Sequence, residues 1–263
     1  MSQEKWADLP QRFTSAVVML IIFAVALYLN RMGILVLGFV GVVAMQWELA
    51  RMFGLSGRRL LAVTSMVVLG WLPMVVQPAI LAAGMTLPAV AAFLPLMIGA
   101  ALIKQQRGVY LSYGALLTLG MVSFWHLALN FGSLGIAILA AVVILSDIGG
   151  YIAGRMIGGA KFWPSISPKK TWSGTIAGWV LAACLGCFLT QYSGTPWMVP
   201  VAVAVAVAFG AQMGDIAESW VKRRVGVKDS SHLIPGHGGF LDRFDGFIGG
   251  AAVLGTITAL FFN

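Results

Sequence analysis

The residues able to do chemistry lie almost entirely in the second half of the chain. Of the nine Asp and Glu, three (Glu4, Asp8 and Glu48) precede residue 49, none lies between 49 and 146, and six follow: Asp147, Asp215, Glu218, Asp229, Asp242 and Asp245. Asp147 closes an apolar run and leads into Ile148-Gly-Gly-Tyr151-Ile-Ala-Gly-Arg155. On a helix, Asp147, Tyr151 and Arg155 share one face at i, i+4 and i+8. The run Asp215-Ile-Ala-Glu218-Ser219-Trp-Val-Lys222-Arg223-Arg224 repeats the design, with Asp215, Glu218, Ser219 and Lys222 on one face. Placing an ionised side chain in an apolar span costs about 2.5–3.5 kcal/mol. Such residues therefore line a cavity or pair with opposite charge. An Asp147–Arg155 ion pair is the plain structural alternative.

The densest stretch runs from Val227 through Lys228, Asp229, His232, Pro235, Gly236, His237, Gly238 and Gly239 to Asp242, Arg243, Asp245 and Gly246. Pro-Gly-His-Gly-Gly is incompatible with a helix, and its backbone N–H groups can approach an anion. Asp242 and Asp245 follow one turn apart. One carboxylate there would serve as a helix cap; Asp, Arg and Asp beside a glycine loop suit a metal and phosphate site. In Ser167-Pro168-Lys169-Lys170-Thr171-Trp172-Ser173-Gly174, Ser167 reads as an N-cap and Pro168 as the first helical residue. That would make an anion site at a helix N-terminus, supported by the two lysines. It is not the nucleotide loop G-x-x-x-x-G-K-[ST], whose glycines are missing.

Hard carboxylate oxygens suit Mg²⁺, and lysines, arginines and glycine N–H groups suit phosphates. The combined chemistry is phosphoryl or nucleotidyl transfer to a lipid head group. The elements that carry it must lie in a membrane. Of 263 residues, 59% are hydrophobic and 10% charged, against about 25% charged in soluble domains. This excludes a soluble globular enzyme and a disordered chain. The fold class expected is all-α, a polytopic membrane protein of about nine spans: 13–29, 33–49, 60–82, 84–103, 109–128, 134–154, 173–191, 196–217 and 246–262. Pro78, Gly84 and Pro88 mark the turn between the third and fourth spans. The first run resembles a secretory signal but reads as a retained span.

Sixteen of the 17 Lys and Arg fall before span 1 or after even-numbered spans; Arg31 alone falls on the other side. The positive-inside rule then puts the N-terminus in the cytoplasm and the C-terminus outside. The net charge of +8 thus reflects topology and the anionic leaflet, not nucleic acid. The organisation expected is a scaffold over 1–133 and a catalytic region over 134–263 in one integrated membrane domain. Cys184 and Cys187 read as packing residues in a helix, and His126 and His232 as structural. The pairs Gly150/Gly154, Gly174/Gly178 and Gly246/Gly250 permit close helix packing within a chain or in a homodimer.

The 27 residues Ser219 to Asp245, with Lys222-Arg223, Lys228-Asp229-Ser-Ser and Ile234-Pro-Gly-His237-Gly-Gly-Phe-Leu-Asp242-Arg243-Phe-Asp245, resemble the signature of the phosphatidate cytidylyltransferase (CDP-diacylglycerol synthase) family. Ser146-Asp147 with Gly154-Arg155, and Ser167 to Gly174, are also similar to that family; Ser173 stands where the family often has glutamate. The resemblance covers about a fifth of the chain, all in its C-terminal half. It implies that CTP and phosphatidic acid give CDP-diacylglycerol and pyrophosphate with Mg²⁺, and it leaves room for a second cation. It implies a cytoplasm-facing site in a bacterial inner membrane.

The expected metal ligands are Asp215 and Asp242, then Asp245 and Asp147. Lys169, Lys170, Lys222, Arg223, Lys228 and Arg243 would hold triphosphate or lipid phosphate, with Arg155, Ser167, Thr171, Ser219, Gly238 and Gly239 as further substrate contacts. A phosphate monoester has a second pKa near 6, so the lipid phosphate needs no general base. His237 is expected to orient phosphate or brace the loop, and Asp229 to set the loop by local pairing. Two alternatives predict other outcomes. A CTP-dependent kinase would release CDP, and a secondary transporter would move solute without turnover.

Overall fold

The computed structural model describes residues 9–76 and 86–261. The turn assigned to Pro78 and Gly84 lies outside these residues, as do Glu4, Lys5 and Asp8. The elements in order are α1 (Leu9–Tyr28), α2 (Asn30–Met52), α3 (Gly57–Val76), α4 (Thr86–Leu102), α5 (Arg107–Met156), β1 (Lys161–Trp163), β2 (Ser167–Thr171), α6 (Trp172–Ser193), α7 (Met198–Val225) and α8 (Leu241–Phe261). Six of them, α2, α3, α5, α6, α7 and α8, are long and apolar enough to cross a membrane, and Phe13–Tyr28 and Val90–Leu102 are shorter apolar helices. Among the described residues the fold is thus all-α apart from one small hairpin. α5 has 50 residues, roughly 75 Å at 1.5 Å per residue, more than twice a hydrocarbon core. It is broken at Gly132 (φ 58°, ψ −149°), a backbone state that glycine tolerates. The break falls in the gap expected between spans 109–128 and 134–154.

By contacts the chain forms two compact units: Met1–Thr118 with Arg224–Phe244, and Leu119–Arg223 with Asp245–Asn263. In the first, α2 packs on α1 and α3, and α3 on α4. Leu35, Val42, Leu49, Val63, Val67 and Trp71 are fully buried in its core. Gln46 Nε2 donates to Thr118 Oγ1 (3.1 Å), both residues being fully buried, so both atoms have a partner out of water. Leu20, Leu61, Leu69 and Leu94 are exposed, as a surface facing acyl chains would be.

The second unit packs through glycine. A Cβ on Gly174 would stand 2.5 Å from the Gly150 carbonyl oxygen, and one on Gly178 2.7 Å from Ser146 Oγ. α5 and α6 therefore approach to backbone contact, as small residues allow. Gly210 and Gly214 do the same for α7 against α8, and Gly250 packs against Val143 and Val207. The three glycine pairs singled out in the sequence are thus used within the chain.

The structure corrects one element. Ser167 is not an N-cap and Pro168 does not open a helix: Ser167–Thr171 is strand β2, antiparallel to β1, with Lys161 opposite Thr171 and Trp163 opposite Ser167. The helix begins at Trp172, and its N-cap is Thr171, whose Oγ1 accepts from Gly174 N (3.2 Å). The cause is that Pro168 fits an edge strand as readily as a first helical turn. Pro164 and Ser165 supply the turn, closed by Ile166 N donating to Trp163 O (3.2 Å).

Candidate functional site

In the first unit, the signature loop after α7 is held by two carboxylates. Glu48, in the last turns of α2, is fully buried. Its Oε1 accepts from Ser231 Oγ (2.5 Å) and Phe240 N (2.8 Å). Its Oε2 accepts from Ser230 Oγ (3.1 Å) and Leu241 N (2.6 Å). Asp242 Oδ2 accepts from Ser230 N (2.9 Å), Ser230 Oγ (2.9 Å) and Gly239 N (2.8 Å). Hydrogen bonds to charged acceptors are worth about 1.5–3 kcal/mol each, so the loop is fixed at both ends. Between the ends, Ile234 N donates to Gly238 O (2.8 Å) and His237 N to Ile234 O (3.0 Å). Gly238 has φ +87°, and a Cβ there would sit 3.0 Å from Asp242 Oδ2. Glycine is thus required for conformation and for space.

His237 Nδ1 lies 2.6 Å from Ser15 Oγ on α1, and its carbonyl accepts from Arg243 Nε (3.0 Å) and Nη2 (2.8 Å). Both contacts tie the histidine to the scaffold of its loop. Asp229 Oδ1 stands 3.6 Å from the position a Gly238 Cβ would take. Lys228 is exposed at the loop's start and Arg243 at its end.

In the second unit, carboxylates gather around two lysines. Lys170 Nζ, on β2, lies 2.5 Å from Asp215 Oδ2 on α7, with side-chain exposures of 24% and 37%. The hairpin thus carries Lys170 to α7, where its Nζ also donates to Gln212 O (3.4 Å). Ser219 Oγ donates to Asp215 Oδ1 (3.4 Å). Lys222 Nζ pairs with the buried Glu218 (2.5 Å) one turn back. Asp147 and Asp245 both lie within electrostatic range of Asp215 and Lys170, and Asp245 also of Lys222. Asp245 Oδ1 accepts from Gly246 N (2.7 Å). Four carboxyl groups (Asp147, Asp215, Glu218, Asp245) thus accompany two ammonium groups.

Several residues expected at the site are placed differently from one another. Arg155 Nη1 donates to Tyr151 Oη (2.9 Å) on an exposed face, while the charged neighbours of Asp147 are Asp215 and Lys170. Thr171 is buried and serves as the α6 cap. Lys169 and Arg223 are exposed, and Ser167 is partly so. Among the described residues, no three His, Cys, Asp or Glu side chains converge to cage a metal unaided. Mg²⁺ seldom asks for that: it commonly takes one or two carboxylates and completes its shell with water and substrate phosphates. The carboxyl oxygen donors of Asp215, Asp245 and Asp147 fit such an ion.

Glu48 is the residue that sequence reasoning passed over. The signal was present, since it is the one acid in an otherwise uncharged span. The burial cost that drew attention to Asp147 applies equally to it.

The model of the cytidylyltransferase family matches residues 10–261. A phosphatidate cytidylyltransferase of Brucella suis is 47% identical over 133 residues, covering 50% of this chain and 49% of that protein. One from Helicobacter pylori is 39% identical over 145 residues, 54% of this chain and 53% of the relative. One from Staphylococcus haemolyticus is 44% identical over 110 residues, 41% and 42% respectively. The chain spans about half the length of the curated relatives it matches. With the family model matched over nearly its full length, the chain belongs to the cytidylyltransferase family.

Proposed function

We propose that this chain transfers the cytidylyl group of CTP to phosphatidic acid, giving CDP-diacylglycerol and pyrophosphate. The observation that carries the reading is the second unit's carboxyl cluster around Lys170 and Lys222. The name printed for the relatives, phosphatidate cytidylyltransferase, supports the choice of substrates. In the reaction a phosphate oxygen of the lipid attacks the α-phosphorus of CTP. The bond from that phosphorus to the bridging oxygen breaks, and pyrophosphate leaves with the electron pair.

The obstacle is repulsion between two polyanions, so the residues act by neutralising and aligning charge. Within the second unit, Lys170 and Lys222, with exposed Lys169, Arg223 and Arg155, hold phosphates; in the first, exposed Lys228 and Arg243 flank the glycine loop and offer the same chemistry. In the same second unit, Ser167 and Ser219 add hydroxyl donors. Asp215 and Asp245 would hold Mg²⁺, with Asp147 beside them. The ion would supply Lewis-acid polarisation of phosphoryl oxygens when bound. Asp242, whose Oδ2 already accepts three hydrogen bonds, acts first on the loop. The lipid phosphate is ionised near neutral pH, so His237 braces the loop and carries no proton in the step.

The positive-inside pattern supports nine spans with the site on the cytoplasmic side of a bacterial inner membrane. The test replaces Asp215 or Asp245 by Asn in purified protein and measures CDP-lipid formation from CTP, phosphatidic acid and Mg²⁺. Loss of about a hundredfold or more is the expected result for removal of a charged transition-state contact. Near-full activity in both folded variants overturns the metal assignment.

A further inference from the structure

The mechanism just given makes no use of Glu48, a fully buried acid on a helix far from the signature in sequence. Its four donors come in two consecutive pairs: the hydroxyls of Ser230 and Ser231, and the backbone amides of Phe240 and Leu241. One carboxylate therefore fastens both ends of the segment 230–241 and caps the start of α8 from another helix. Seven residues earlier on α2, Gly41 leaves room for the Phe240 ring, whose edge would lie 3.3 Å from a Cβ at that position. Gly239 is equally constrained, since its Cβ would collide with Ser230 Oγ and with the Glu48 carboxylate. Ser230 is shared, because its hydroxyl reaches both Glu48 Oε2 and Asp242 Oδ2. The face of α2 is thus shaped to seat this loop and to orient the carboxylate that follows it.

We propose that Glu48 is a positioning residue for the cytidylyl transfer, holding the Ser230–Leu241 loop and, through Ser230, Asp242 in the geometry that receives the triphosphate. The inference rests on the proposed function and names a residue outside the signature. Charge is part of the role. An amide at position 48 keeps one acceptor oxygen and turns an NH₂ donor toward either Phe240 N–H or Leu241 N–H. A serine hydroxyl can rotate away from a donor; a backbone N–H cannot.

The experiment compares purified full-length wild type, Glu48→Gln and Ser231→Ala at fixed Mg²⁺, measuring kcat and the KM for CTP separately. A protein that merely misfolds in part loses kcat at unchanged KM. A displaced loop raises KM. The expected result for Glu48→Gln is a KM for CTP raised fivefold or more and a lowered kcat. For Ser231→Ala, which removes one donor and leaves the carboxylate, KM rises at least twofold. Hydrogen–deuterium exchange at Phe240 and Leu241 is faster in both variants. Should Glu48→Gln fail to fold, Ser231→Ala carries the same comparison. A KM for CTP unchanged in every folded variant overturns the proposal. A wild type inert toward CTP and phosphatidic acid overturns the functional reading instead. The exchange data then decide the clamp alone, and unaltered protection at Phe240 and Leu241 removes it.

Discussion

Replacing Lys170 by Ala removes one of the two ammonium groups accompanying the carboxylate cluster, and the two consequences have opposite signs. Lys170 Nζ is 2.5 Å from Asp215 Oδ2, so it competes with any cation for that oxygen. Its loss leaves Asp215, with Asp147 and Asp245 in range, more attractive to Mg²⁺ and more repellent to a triphosphate. The side chains are 24% and 37% exposed, which places the pair in partly wetted surroundings and argues for a high effective dielectric. One unit charge about 4 Å from a phosphate is then worth about 1–2 kcal/mol at an effective dielectric of roughly 40–80. That corresponds to a rise of about five- to thirtyfold in the KM for CTP. The assay is CDP-lipid formation against CTP at several Mg²⁺ concentrations, repeated at low and moderate salt. The CTP effect shrinks with salt as screening sets in, while the Mg²⁺ concentration for half-maximal rate falls. Lys170→Arg keeps the charge and should stay within a few-fold of wild type. An unchanged KM for CTP at low salt, or a raised Mg²⁺ requirement, refutes the assignment of Lys170 to the phosphates.

Two further outcomes follow from the packing. Gly174→Ala puts a methyl group against the Gly150 carbonyl, 2.5 Å away; overpacking of this kind costs about 1–3 kcal/mol, read as a lowered melting temperature in detergent, and an unshifted melt contradicts it. Thr171→Ala removes the hydroxyl that accepts from Gly174 N and costs about 1 kcal/mol of stability, whereas Thr171→Ser keeps the cap and melts near wild type.

The sequence was most informative where hydropathy decides structure. The expected span 33–49 lies inside Asn30–Met52, and 173–191 inside Trp172–Ser193, because a 20-residue apolar run has few ways to satisfy its backbone in lipid. The break at Gly132 was legible as a gap between two apolar runs. The β1–β2 hairpin was not, since it is short and polar and its Ser-Pro start matches a helix cap equally well. The common helical face of Asp215, Ser219 and Lys222 was also legible. That Lys170 reaches Asp215 was not, because the contact joins residues on separate elements brought together by the hairpin. Glu48 escaped for a related reason: its partners lie more than 180 residues away in the chain, and only the folded loop reveals what pays for its burial.

The central claim is that the α-phosphorus of CTP is the atom attacked by a lipid phosphate. The most direct measurement supplies purified protein with CTP labelled at the α-phosphate, phosphatidic acid and Mg²⁺, and identifies both products. Label in a CDP-lipid, matched by pyrophosphate and abolished when a chelator strips the cation, is the predicted result. Label remaining in free CDP, or turnover undiminished by the chelator, contradicts it.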